Sequence, residues 1–106
     1  MKVHKRYACH RVYDSINHYQ ALSVVAITEE GEVVDYMPLA QETSSTEWIG
    51  GVIVLSPFPE MIHHTDFQGI LDTMFGNGQT PLYAWHISDF DFSMNELSTK
   101  SIIRRL

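Results

Sequence analysis

A chain of 106 residues, 44% hydrophobic and 19% charged, reads as a single globular domain over 1–106 rather than a disordered segment. Its net charge of −6 argues against general nucleic-acid binding, and its lone cysteine, Cys9, leaves no internal disulfide. Its longest apolar runs, such as Val52 to Leu55, fall far short of the ~20 residues that a membrane helix needs. The N-terminal MKVHKRYACHR is basic without an apolar stretch, so it does not read as a secretory signal, and a cytoplasmic location is expected. All seven basic residues lie near the two ends, and all thirteen acidic residues lie between Asp14 and Glu96. Basic terminal elements packed beside an acidic centre explain this pattern; a basic patch for an anionic partner is the alternative.

In chain order, Tyr7 to Tyr13 alternates weakly and carries Arg11, which suits an edge strand. Asp14 to Asn17 has the composition of a turn. Ala21 to Thr28 (ALSVVAIT) is apolar and rich in β-branched residues, so it reads as a strand covered on both faces. Glu29 to Glu32 forms a hairpin loop around Gly31, and Val33 to Met37 returns as a strand that Pro38 ends. Residues 40–47 are polar and read as a loop. Trp48 and Ile49 bring the chain back, Gly50-Gly51 permit a close backbone approach, and Val52 to Leu55 is a central strand.

The period then changes. Thr65-Asp66-Phe67-Gln68 fits a capping box with Thr65 as the cap. Phe67, Ile70, Leu71, Met74 and Phe75 fall on one face of an amphipathic helix over about 66–75, which Gly76-Asn77-Gly78 stops. Leu82 to Ile87 is a further strand. Ser98 is placed to cap a short C-terminal helix, Thr99 to Leu106, and Ser93 with Glu96 forms a second possible capping box. The expected fold is therefore α+β and mostly antiparallel, a small β-sandwich or rolled sheet with one amphipathic helix and a short terminal one.

Three features in sequence carry a family resemblance. Ala8-Cys9-His10-Arg11-Val12-Tyr13-Asp14 matches an opening strand of the type A-x-R-V-Y-D, with one residue more before the arginine. Val25 to Val34 matches a hairpin of the type V-x-E-x-G-x-I-V. Gly51 to Leu55 followed by Ser56-Pro57-Phe58-Pro59-Glu60-Met61-Ile62-His63-His64 matches a strand and a P-G-F-x-D-x-H-x-H turn. Together, residues 1–67 resemble the start of the amidohydrolase superfamily, and the resemblance implies the small β-domain that flanks the catalytic barrel in those enzymes. The departures bear on function. The family's metal-binding histidines are two residues apart, whereas His63 and His64 are adjacent, and adjacent side chains of an extended chain point to opposite faces. A barrel of ~250 residues, which would supply the remaining ligands, has no room in this chain.

The expectation is a non-catalytic binding or interaction module, with no catalytic residue, cofactor or metal assigned. It is expected to form a homodimer or another homo-oligomer, through the Tyr7–Tyr13 edge or the final helix, with a further protein partner left open. One alternative is a small metal-dependent hydrolase built on His63, His64 and Asp66, with His86 as a further ligand. Another is a small-ligand binder with a pocket beside Trp48 and Trp85. Cys9 with His10 or His18 suggests a nucleophile pair by residue type, though a packing thiol is the simpler reading. Tyr83, Trp85, Phe90 and Phe92 could line a groove or fill a core.

Overall fold

The computed structural model describes residues 3–40, 45–60, 66–75 and 82–106. Among these residues, seven strands and one helix follow in the order β1 (Lys5–Ser15), β2 (His18–Ile27), β3 (Val33–Pro38), β4 (Thr46–Trp48), β5 (Val52–Ser56), α1 (Phe67–Met74), β6 (Tyr83–Ile87) and β7 (Ile103–Arg105). They form one mixed sheet in the order β3-β2-β1-β5-β6-β7, with β4 also beside β1. Antiparallel pairing predominates: β1 with β2, β2 with β3, β5 with β6 and β6 with β7.

β1 is the hub of this sheet rather than its edge. It is antiparallel to β2 along nearly its whole length, and its other side pairs in parallel with β4 through Arg6–Ala8 and with β5 through Arg11–Tyr13. The edge expected at Tyr7–Tyr13 is thus overturned. The signal there was weak alternation, and alternation fades in a strand covered on both faces. Part of the loop expected over 40–47 also becomes strand, since Thr46 and Glu47 begin β4.

The sheet rolls up on itself. A bridge between Glu32 and Tyr83 joins the start of β3 to β6, and the Val33 amide donates to the Leu82 carbonyl at 2.7 Å. Because strand side chains alternate between faces, β5 feeds two cores. Ile53 and Leu55 pack inside the roll with Cys9, Val12, Val25 and Ile27. Val52 and Val54 face outward, where Phe67, Ile70, Leu71 and Met74 of α1 cover them together with Trp85 and Phe90. Of the partners expected for the helix face, Val25, Ile27 or Val54, the helix takes Val54, with Val52 beside it; Val25 and Ile27 belong to the other core.

α1 is capped by two carboxylates. Thr65, the expected cap, lies outside the described residues; Asp66 is extended, with φ −132° and ψ 159°, and accepts from the Gly69 amide at 2.7 Å. Glu96 reaches back to accept from the amides of Phe67 and Leu97. No helix forms around the Ser93–Glu96 box, where the Asp91 carboxylate instead accepts from the Ser93 hydroxyl, which chiefly lowers its pKa, and from the amides of Met94 and Ser93. The Gln68 side chain donates to Asp72 at 2.9 Å, and the Thr65 end of its expected box lies outside the described residues.

The expected C-terminal helix over 99–106 is also overturned. Ile103, Arg104 and Arg105 run antiparallel to Ile87, His86 and Trp85, and the Leu106 amide donates to the Ala84 carbonyl at 3.0 Å. Ser98 does not cap a helix; its hydroxyl donates to the Asp89 carbonyl at 2.6 Å. An isolated helix of eight residues is marginal, whereas the bare side of β6 offers a row of backbone partners.

Candidate aromatic and arginine surface

The middle of β1 divides its side chains between core and surface. Cys9 and Val12 enter the core inside the roll, Tyr13 joins the core under α1, and His10 and Arg11 reach toward solvent. Phe92, on the loop after β6, sits between these two: its ring centroid lies 4.8 Å from that of His10 and 5.0 Å from the Arg11 guanidinium carbon. The Arg11 guanidinium also stands 4.6 Å from the Tyr19 ring. Guanidinium groups stack well on aromatic faces. Asn95 Oδ1 holds one end of the group, accepting from Nη1 at 2.5 Å. Among the described residues no carboxylate pairs with Arg11.

The buried rings support this arrangement from beneath. Tyr19 contacts Tyr13, Tyr13 contacts Phe67, Phe67 contacts Phe90 and Phe90 contacts Phe92, with centroids 4.7–5.2 Å apart. The series closes through Arg11, so its guanidinium completes a circle of five rings. His10 extends the series outward to Trp48, whose ring meets it edge-on at 4.9 Å. Trp48 is 52% exposed, Tyr19 42% and Met94 73%. Exposed Trp, Tyr, Met and Arg are the residue types enriched where proteins bind one another.

Two histidines fix the backbone that presents Trp48. His10 Nδ1 accepts from the Gly51 amide at 3.0 Å, so its proton lies on Nε2. His86 is buried, and its Nε2 lies 3.0 Å from the Gly50 carbonyl, to which it donates. Burial is the main cause that lowers the His86 pKa, and the nearby Arg104 charge adds to it. The strand turns between β4 and β5 at Gly50 and Gly51, both in the left-handed region with φ of 64° and 67°.

The remaining candidates are distributed differently. His63 and His64 lie outside the described residues. Asp66 caps α1 and His86 belongs to the glycine turn; among the described residues no three His, Cys, Asp or Glu side chains come together as a metal site would require. Cys9 is fully buried, burial pushes its thiol up to about 12, and its Sγ donates to the Arg11 carbonyl at 3.1 Å. A nucleophilic cysteine needs the opposite shift. His10 is turned to Gly51, and His18 pairs with Asp14 at 2.7 Å in an exposed position. Asp14 also accepts from the Tyr36 hydroxyl at 2.9 Å, and this bond is the main reason that the Tyr36 pKa is raised.

The four C-terminal aromatics do not line one groove. Phe90 and Trp85 are core, Phe92 flanks Arg11, and Tyr83 lies under the Arg105 guanidinium. The two tryptophans occupy separate neighbourhoods: the Trp85 indole donates to the Phe58 carbonyl, whereas Trp48 lies on His10. Basic residues from the two ends do meet, since Lys5 and Arg105 line an open cavity of about 290 Å³, but Glu29 and Glu30 line it too, so its charge is mixed. The Arg11 site was invisible to sequence reasoning because its parts come from residues 10–19, 48 and 92–95. Its parts meet only through chain reversals that no short motif records. Comparisons of the chain with family models, with curated proteins and with solved structures find no match.

Proposed function

We propose that this chain is a non-catalytic interaction module that binds a protein partner through the Trp48–His10–Phe92–Arg11–Tyr19 surface. The likeness of residues 1–67 to the barrel-flanking β-domain of amidohydrolases belongs to the same proposal, as does a cytoplasmic location. The observation that carries the reading is the exposed Trp48 joined through His10 and Phe92 to the stacked Arg11. Anchors held in place before binding lose little conformational freedom on association. The test is affinity capture from an extract of the source cells with the whole chain, wild type and Trp48→Ala. A protein retained by the wild type and lost from the variant supports the reading. Retention that Trp48→Ala leaves unchanged overturns it.

Self-association is a second proposal, and a different surface supports it. Leu22 is 54% exposed and Leu39 41%, and the two meet where the Leu39 amide donates to the Leu22 carbonyl at the end of β3. β3 ends the strand order; its start is closed by the bond from Val33 to Leu82, which leaves the Leu22–Leu39 end to a second copy. Light scattering at high micromolar concentration should report a dimer that Leu22→Lys returns to monomer. A monomer throughout sinks the proposal.

A further inference from the structure

We infer that Arg11 is a carboxylate-recognition point, and that the partner places an aspartate or glutamate side chain against the open edge of its guanidinium. The inference rests on the proposed aromatic surface and names the chemistry that the surface selects. An arginine on an acidic protein ordinarily finds a carboxylate of its own. Here thirteen acidic residues face seven basic ones, yet among the described residues Arg11 has no acidic partner. The rings of Tyr19 and Phe92 both lie against it, and Asn95 Oδ1 accepts from Nη1. Among the described residues the other N–H groups of the fork have no partner, and they can donate side-on to a planar anion, which is the geometry of a bidentate carboxylate pair.

Charge decides the class of anion. A single guanidinium neutralises a single carboxylate, whereas a doubly charged phosphate calls for more than one cation. Two rings against a half-buried guanidinium leave it less hydrated, which strengthens a pair formed there. Trp48, Met94 and Tyr19 around it suit the apolar side chains that flank an acidic residue in a protein segment.

The experiment is a nuclear magnetic resonance titration of the whole chain. The probes are butyrate, its uncharged counterpart butyramide, and inorganic phosphate. Butyrate should shift the Arg11 side-chain N–H and Trp48 indole N–H resonances saturably, and the effect should weaken as sodium chloride is added. Butyramide should bind about tenfold more weakly or not at all. Equal shifts with butyramide, or no saturable shift with butyrate, overturn the inference, and tighter binding of phosphate reassigns the site to a phosphorylated ligand and overturns it as well. The wild-type protein carries these arms, so none depends on a variant folding. Arg11→Gln is then added to the capture assay. Loss of the partner with Trp48→Ala but not with Arg11→Gln refutes carboxylate recognition and leaves the aromatic surface standing. Retention with both variants refutes the surface itself.

Discussion

At Gly51 a β-carbon would overlap the carbonyl oxygen of Ile87, on a backbone already held at φ 67°. Gly51→Ala should therefore cost at least ~2 kcal/mol, read from the urea midpoint, because left-handed strain and overlap add. The presence of two glycines was plain in the sequence, but the histidines on either side of them, 41 and 36 residues from their backbone partners, were not. His86 supplies a pH dependence. Its folded pKa lies below the ordinary 6.5. As pH falls through that ordinary value the unfolded chain takes up the proton first, so stability declines toward acid and is whole above it. The wild type should lose more stability than His86→Gln between about pH 7.5 and about pH 5.5; parallel pH profiles would refute this. The Cys9 thiol, pushed up to about 12, should react with a thiol reagent only as fast as the chain opens. Labelling that denaturant does not accelerate would contradict its burial.

At the scale of elements, period decided what could be read. α1 announced itself by Phe67, Ile70, Leu71 and Met74, all of them buried in the structure. Ile70→Ala should cost ~2–5 kcal/mol in thermal or chemical unfolding, since Ile70 is fully buried. Glu96 was drawn into the wrong element because a capping box is local, whereas its carboxylate serves a helix 29 residues earlier. The last strand was misread for a related reason. Ser98, Ile102, Ile103 and the two arginines satisfy local rules for a helix end, but the deciding partner is the side of β6. The strand makes a distinguishing claim about neighbours. Ile103 packs against the core under α1, while Ile102 is 64% exposed. Ile103→Ala should destabilise by ~1–2 kcal/mol and Ile102→Ala by less than ~0.5 kcal/mol. Equal losses would fit a helix buried on both sides and would rule the strand out.

Across the whole molecule, the fold class was legible because strand composition and helix period are properties of short windows. Val52 to Leu55 read as central, and β5 is buried throughout. The roll was not legible, since it depends on Val33 reaching Leu82 and on Glu32 bridging Tyr83. The same distance in sequence hid the aromatic and arginine surface: Arg11 and Tyr19 meet across the β1–β2 hairpin, but residues 92 and 95 join them only once β5 and β6 have been added.

The hub position of β1 also sets the order of events by which the chain acquires its shape. During synthesis β1, β2 and β3 can pair as soon as they emerge, through turns of a few residues. The remaining side of β1 stays bare until β4 and β5 follow, some 40 residues later, and those pairings are parallel. Distant parallel pairing is slow, because the loop must close before any bond rewards it. Until then the nascent chain carries an open strand beside the apolar Val24 to Ile27 run. Refolding should accordingly be slower than that of a helical protein of this length, and substitutions in β7, the last strand to arrive, should accelerate unfolding while leaving the refolding rate unchanged. Stopped-flow measurement of both limbs with Ile103→Ala resolves this, and a slowed refolding limb would place β7 in the nucleus instead.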